Sequence, residues 1–426
     1  MDARQLNCDQ ARSMEISRSV PSSAIRGWAN RRTNFRAALT TASLIVGSLL
    51  MLAASQLGFA QTESVVYSFA NPPDGYGPES SLAADAAGNM YVTTVNGGAN
   101  NQGAIVMLTP SGTESVLYSF LSGTSDGHHP VAGLVPIKGT PSFIGTTISG
   151  GTTNNGTLFF VNPGAGLNGV FYNFQGGPND GANPYSAVTQ IGTGVNYFYG
   201  TTFNGGQFGY GTIFSYRISD GQYKVLHSFN SAFPTLDGAH PYGGMNVHKG
   251  VLYGTTQMGG ASNLGTIFSI TRTGVYTLLY SFKGGATDGQ SPNAGVLFDS
   301  AGNIYGTTFG GGQSNAGVVY KINAGGVESV LHSFGRNSAD GSNPYSSLIK
   351  AKGAFYGTTL QGGSANGGTI YKITAAGVET VVHQFTGGAD GFNPYGALLL
   401  GKDKALYGTT QIGGTSKLGT VFKLIP

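Results

Sequence analysis

Beyond residue 60, apolar side chains occur in short runs that end at glycine-rich turns. Residues 346–385 show the arrangement, with runs SSLIK, AFYGTT, GTIYKI and ETVVHQF and separators AKG, LQGGSANG and TAAG. Runs of about five to six residues that carry β-branched and aromatic side chains between such turns are typical of strands. No longer window keeps a helical period without a glycine, so we predict strands and no long helix in this part of the chain.

The four-run unit recurs seven times. The first threonine of its GTT-like motif marks each copy, at Thr93, Thr146, Thr201, Thr255, Thr307, Thr358 and Thr409. The phenylalanine that ends each fourth run gives the same count, at Phe69, Phe120, Phe174, Phe229, Phe282, Phe334 and Phe385. Because four antiparallel strands repeated radially form a propeller blade, we predict an all-β fold, a seven-bladed β-propeller of four-stranded blades.

The two ends of the repeat array complement each other. ESVVYSF at residues 63–69 is a fourth run without a blade of its own, and GTVFKL at 419–424 is a third run without a fourth. We expect strand 63–69 to pair with strand 419–424 and close the ring, because an open ring exposes strand edges to solvent. An unclosed solenoid, which needs capping repeats, is the alternative.

The first 60 residues differ in composition from the repeats. Arginines precede an apolar run over residues 37–60, and small residues at Gly58 and Ala60 precede Gln61. This pattern predicts an export signal over residues 1–60, cleaved after Ala60, and a propeller over residues 61–426 that is secreted, periplasmic or at the cell surface. An uncleaved membrane anchor is the alternative.

Charge and cysteine content limit the partners of the repeat region. Residues 61–426 carry 15 Lys and Arg against 16 Asp and Glu, and the only cysteine, Cys8, lies in the predicted signal. A near-neutral chain without basic clusters does not favour nucleic acid or an anionic membrane surface. We therefore expect no nucleic-acid partner, no membrane contact after cleavage, no disulfide, and a monomer.

The repeat elements YGTTxxGG, GTIF and DGxxP resemble those of the GloVer tandem-repeat proteins, which are bacterial surface or secreted proteins with varied C-terminal anchors. The resemblance covers nearly all of residues 62–426 and implies export and a propeller-like array, without an established activity. The ending GTVFKLIP departs from the apolar tail or sorting segment of anchored members. GNMYVTT and GNIYGTT resemble NHL-like and streptogramin-lyase-like propellers more weakly, and no lyase motif accompanies them.

An aspartate recurs in every DGxxP loop. These residues are Asp74, Asp126, Asp180, Asp237, Asp288, Asp340 and Asp390. In a propeller these loops and the TTxxGG loops emerge on one face. We expect each aspartate to bond backbone N–H groups of its own turn. Calcium binding is the alternative, although calcium loops usually carry several oxygen side chains. We expect no cofactor.

The residue after each DGxxP proline begins an innermost strand, so seven such residues should surround the mouth of the central channel. This mouth ring comprises Glu79, Val131, Tyr185, Tyr242, Asn293, Tyr345 and Tyr395. Four tyrosines predict stacking and hydrogen bonding to sugar rings or another flat polar ligand. Packing of these rings on adjacent loops is the alternative.

The histidines indicate loop and packing roles. His227, His332 and His383 share one position in the fourth run, where tyrosine stands in other repeats, which predicts packing. His128–His129 and His240 precede the prolines and are predicted to line the ligand site with the mouth ring. Adjacent histidines point in different directions in extended chain, so we expect no metal site.

No GxSxG, HExxH or phosphate-binding loop occurs in the sequence, and Glu79 is the only acid of the mouth ring. Glycoside hydrolysis needs two carboxylates roughly 5–9.5 Å apart, and the sequence places no such pair. We therefore predict noncatalytic binding of an extracellular polysaccharide or another cell-surface component. One alternative is a carbohydrate-active hydrolase or lyase that uses Glu79 and aspartate side chains of the loop-rich face. The other is a purely structural cell-envelope protein.

Overall fold

The computed structural model describes residues 62–70, 72–165, 167–192, 197–231 and 237–426. The predicted export signal lies outside the described residues. Within the described ranges there is no helix, and the main strands form seven four-stranded antiparallel sheets arranged in a ring. The prediction of a seven-bladed β-propeller is confirmed. We number the blades 1 to 7 in the order of their innermost strands.

Each blade runs from an innermost to an outermost strand. The innermost strands are Ala83–Ala84, Val135–Pro136, Thr189–Ile191, Asn246–His248, Leu297–Phe298, Ile349–Ala351 and Leu399–Leu400. The second strands are Met90–Thr94, Phe143–Thr147, Tyr197–Thr202, Val251–Thr256, Ile304–Thr308, Ala354–Gly362 and Leu406–Thr410. The third strands are Ala104–Leu108, Thr157–Asn162, Thr212–Arg217, Thr266–Ile270, Val318–Ile322, Thr369–Ile373 and Thr420–Ile425. The outermost strands of blades 1 to 7 are Glu114–Ser119, Leu167–Asn173, Gln222–Ser228, Tyr276–Ser281, Glu328–Ser333, Glu379–Gln384 and Thr62–Ser68.

The ring closes as the sequence predicts. Thr62–Ser68 pairs antiparallel with Thr420–Ile425, so the first strand of the repeat region is the fourth strand of blade 7. Closure gives the edge of the C-terminal strand a hydrogen-bonded partner, which removes an exposed sheet edge.

The core lies between neighbouring blades. The phenylalanine that ends each outermost strand has no exposed surface, and burial of each such ring contributes roughly 1.5–3 kcal/mol. Phe120 meets Phe159 of the next blade edge to face, with ring centroids 5.1 Å apart. The glycine of the GTT motif makes room for such rings, because a Cβ on Gly200 would lie 2.4 Å from Cζ of Phe214.

The innermost strands are shorter than the sequence predicts. In each innermost strand, only two or three residues form a ladder with the second strand. Ile349–Ala351 is an example, where a five-residue strand was expected over SSLIK. The preceding backbone bonds to a neighbouring blade instead. The hydroxyl of Thr93 in blade 1 donates to the carbonyl of Ala132 in blade 2 at 2.9 Å, and Thr255 donates to Ala294 O at 2.8 Å. The first threonine of the motif therefore links blades around the channel.

None of the described segments forms a helix that is long and apolar enough to cross a lipid bilayer.

Candidate functional site

The loops predicted to share one face do pair with one another. In blades 1 to 5 the glycine of the DG dipeptide and the residue after it form a two-residue antiparallel pair with the glycine turn between the second and third strands. These pairs are Gly75–Tyr76 with Asn96–Gly97, Gly127–His128 with Ser149–Gly150, Gly181–Ala182 with Asn204–Gly205, Gly238–Ala239 with Met258–Gly259, and Gly289–Gln290 with Gly310–Gly311. In blade 6, Gly341–Pro344 pairs with the extended second strand, and in blade 7 a single bridge joins Phe392 and Ile412.

The repeated aspartates organise these loops. Asp126 Oδ1 accepts a hydrogen bond from Gly127 N–H at 2.8 Å, and its Oδ2 accepts from Leu121 N–H at 2.8 Å and from the Tyr118 hydroxyl at 2.6 Å. These bonds give the aspartate the turn-forming role that the sequence predicts. Burial, together with the bond to Asp126, raises the pKa of Tyr118 well above its usual value.

Sequence reasoning missed the partner of each aspartate. Tyrosine or histidine of the preceding outermost strand fills that role, and His227 Nε2 lies 2.9 Å from Asp237 Oδ2 where other repeats use tyrosine. The histidines interpreted as packing residues therefore also face carboxylates. The signal was present in the sequence, because a Tyr or His precedes every loop aspartate by seven to ten residues.

The structure brings the whole mouth ring together. All seven residues line one cavity of about 240 Å³ at the centre of the propeller. Tyr185 stacks on Tyr242 with centroids 4.8 Å apart, Tyr242 meets Tyr345 edge to face at 5.4 Å, and Tyr345 meets Tyr395 at 4.6 Å. The four rings form a continuous aromatic wall of half-buried side chains along one side of the mouth.

Polar groups complete the mouth ring. Glu79 Oε1 accepts a hydrogen bond from Gln411 Nε2 at 2.7 Å, and Asn293 Oδ1 accepts from Gln257 Nε2 at 2.9 Å. Burial raises the pKa of Glu79, and the bond from Gln411 partly offsets that effect. Among the described residues that line the cavity, Glu79 is the sole carboxylate.

The predicted histidines are placed apart from the mouth cavity. The ring Nδ1 of His129 lies 2.9 Å from Val95 O, and that of His240 lies 2.9 Å from Phe203 O. Both residues have positive φ angles, near 55°, which turn the chain before the proline. His128 lies in the short pair next to His129, and none of the three lines the cavity. The contacts of His129 and His240 hold their loops against the preceding blade.

The comparisons with known proteins concern the repeat and the fold. The sequence profile of the Gloeobacter/Verrucomicrobia repeat matches residues 77–297 and 273–426. No curated protein matches the sequence.

Many solved structures are similar in fold. An oligogalacturonate lyase in complex with manganese has a TM-score of 0.52 at 10% identity, covering 86% of this chain and 97% of that one. PorZ, a surface component of the type-IX secretion system of Porphyromonas gingivalis, has a TM-score of 0.50 at 15% identity, covering 80% and 46%. TolB from Acinetobacter baumannii has a TM-score of 0.39 at 15% identity, covering 70% and 63%. The chain thus spans less than two thirds of the length of PorZ and TolB.

Proposed function

This chain belongs to the Gloeobacter/Verrucomicrobia repeat family, and from that premise we propose that it is an exported, noncatalytic binding protein of the cell surface or periplasm. Its ligand is an extracellular polysaccharide or another cell-surface component, bound at the loop-rich face and the channel mouth. The observation that carries this proposal is the wall of four tyrosines at the mouth, which faces the cavity shared with Glu79 and Asn293.

The chemistry of the mouth ring suits a sugar. Aromatic faces pack against the apolar C–H surface of a sugar ring, and phenolic hydroxyls bond its hydroxyl groups. Glu79 and Asn293 are each already oriented by a glutamine, so they present fixed polar atoms to a ligand.

The size of the mouth cavity limits what enters it. Pockets for small molecules commonly measure roughly 300–1,000 Å³, and this one is about 240 Å³. It accommodates one sugar unit or the end of a chain. A longer glycan would extend across the loop-rich face.

The arrangement favours binding over hydrolysis. Glycosidases use two carboxylates, whereas Glu79 is the sole carboxylate among the described residues of the cavity. One observation supports a lyase or hydrolase as the second candidate: burial raises the pKa of Glu79, as a general acid requires. A purely structural cell-envelope role is the third candidate, and it predicts no ligand at the mouth.

A glycan array with the full-length protein separates these candidates. Binding should be lost in the double variant Tyr185→Ala, Tyr345→Ala, and kept in the control Tyr407→Ala, which removes an aromatic ring from the second strand of blade 7, outside the cavity. Binding that survives the double variant would contradict the tyrosine wall as the site. Release of products from a bound glycan, lost in Glu79→Gln, would establish the enzyme instead.

A further inference from the structure

The outer rim of the propeller repeats one side-chain arrangement at the junctions between blades. We call each of these places an outer cleft. Each outer cleft combines three residues, counted from the phenylalanine that ends each outermost strand. The first is the Tyr or His two positions before that phenylalanine, and the second is the loop aspartate that follows it. The third lies six positions before the corresponding phenylalanine of the next blade. Six of these trios are Tyr67–Asp74–Glu114, Tyr172–Asp180–Tyr223, His227–Asp237–Tyr276, Tyr280–Asp288–Glu328, His332–Asp340–Glu379 and His383–Asp390–Glu63.

The outer cleft between blades 5 and 6 collects three metal-ligating side chains. One nitrogen of His332 and one carboxylate oxygen each of Asp340 and Glu379 lie within 4.8 Å of one another. His332 Nε2 lies 3.4 Å from Asp340 Oδ1.

These atoms are buried and have few partners outside the trio. The side chains of His332 and Asp340 are only 9% and 5% exposed. Outside the trio, no described residue hydrogen-bonds His332 Nε2 or Glu379 Oε1, while His332 Nε2 and Asp340 Oδ1 contact each other. Buried polar atoms are almost always satisfied, because an unsatisfied one costs about 1–3 kcal/mol. A cation between His332, Asp340 and Glu379 would give these buried atoms one common partner.

We propose that this outer cleft binds a divalent transition-metal ion, with Zn²⁺ as the best match, through His332, Asp340 and Glu379. One imidazole nitrogen with two carboxylates suits zinc, whereas calcium and magnesium select oxygen ligands. With zinc–ligand bonds of about 2.0–2.2 Å, tetrahedral ligand atoms lie roughly 3.4 Å apart. The His332–Asp340 pair already has this separation, and a carboxylate oxygen of Glu379 lies within 4.8 Å of both ligand atoms.

The surroundings leave a fourth position open. The cleft opens into a cavity of about 370 Å³ that Arg336 and Asn337 also line. Water or an anionic group fits there, next to the Arg336 guanidinium. Because His332 belongs to blade 5 and Glu379 to blade 6, the bound ion joins two blades in a repeat region that has no cysteine for a disulfide. The sequence expectation of no metal site rested on His128, His129 and His240. It did not combine residues from two neighbouring repeats.

The neighbouring outer cleft supplies an internal comparison. His383 lies 3.4 Å from Asp390 and 3.9 Å from Glu63. There, however, both oxygens of Asp390 accept hydrogen bonds from Thr386, at 2.9 and 2.7 Å, and the aspartate is more exposed. This cleft has the same residue types, and His383 Nε2 and Glu63 Oε1 also lack hydrogen-bond partners among the described residues, but both oxygens of its aspartate are occupied.

The repeats also provide a variant that the fold accepts. Tyr280 stands where blade 5 has His332, and its hydroxyl bonds Asp288 at 2.9 Å. His332→Tyr therefore reproduces the arrangement of the preceding cleft and removes the nitrogen ligand without an orphaned aspartate.

The test uses the full-length protein, prepared without a histidine tag and freed of metal by a chelator. Calorimetric titration with ZnCl₂ should show one saturable site per chain, and Co²⁺ should produce visible absorption bands. His332→Tyr and Glu379→Gln should each weaken zinc binding by at least about tenfold, while the matched control His383→Tyr binds as the wild type does. The proposal would be overturned if zinc did not bind one to one, or if His332→Tyr and Glu379→Gln bound zinc as tightly as the wild type. Loss of zinc binding in His383→Tyr would overturn it as well. Folding of every variant is verified by its circular dichroism and melting temperature.

Discussion

The hydroxyl of Thr409 in blade 7 donates a hydrogen bond to the carbonyl of Ser80 in blade 1, at 3.0 Å. Thr93 and Thr255 make the same bond at junctions inside the ring. The junction that joins the two ends of the repeat array is therefore built like the others, and the ring has no special seam along its channel.

Substitution of Thr409 by valine should destabilise the ring as much as the same change inside it. The isosteric Thr409→Val variant leaves the buried Ser80 carbonyl without its donor, which costs about 1–3 kcal/mol of unfolding free energy. Thr255→Val should cost the same, and the exposed Thr273→Val should change stability by less than about 0.5 kcal/mol. Urea denaturation measures all three. If the free energy of unfolding fell only in Thr409→Val, the closing junction would be weaker than the junctions inside the ring.

Removal of a loop aspartate should destabilise more than removal of a surface aspartate. Asp126→Ala deprives Tyr118, Leu121 and Gly127 of their acceptor, so we expect a loss of about 3 kcal/mol or more. Asp220→Ala removes an exposed ion pair with Arg217 and should leave the free energy of unfolding almost unchanged. Equal losses in the two variants, measured by thermal and urea unfolding, would contradict the turn-forming role.

Alanine at Gly200 should be poorly tolerated although Gly200 does not have a positive φ angle. The new Cβ would lie 2.4 Å from Cζ of the buried Phe214, and overpacking of a core typically costs about 1–3 kcal/mol. Gly164→Ala is the matched control, because its nearest neighbour would be 3.7 Å away. A drop in melting temperature is expected for Gly200→Ala alone. Unchanged melting of that variant would show that the ring can move aside.

Stability should fall as the pH rises from about 5 to 8. Burial, and then the charge of Asp288, raise the pKa of Glu328 to about 7. A carboxyl whose pKa is higher in the folded than in the unfolded state favours folding while it is protonated, and that contribution is lost as the pH rises through the folded-state value. Glu328→Gln should remove about 2 kcal/mol of this pH dependence. Urea midpoints at pH 5 and pH 8 measure this pH dependence. If Glu328→Gln lost as much stability between the two pH values as the wild type, Glu328 would not be its source.

Most of the fold could be predicted from the sequence because the repeat restates it seven times. A strand whose apolar run and turn glycines recur at a constant period can only pack against its own copies, and Phe120 shows the result, buried between blades. The mouth ring followed from the same logic, since a radial repeat places equivalent residues such as Tyr185 and Tyr345 around one axis.

The differences arose where side chains bond across repeats. Thr93 bonds the carbonyl of Ala132, which precedes the innermost strand of the next blade, and His129 bonds the preceding loop, away from the mouth. A periodic pattern reports what each repeat contains, without showing which side chain crosses to its neighbour.

The sequence by itself therefore determined the number of blades, the closing strand and the set of residues at the mouth, because these depend on hydrophobic period and topology. Only the tertiary structure decided that His332, Asp340 and Glu379 meet in one buried outer cleft. Those residues come from two repeats, and their approach depends on how adjacent blades twist and pack, to within an ångström. Local sequence preferences do not encode distances of that kind.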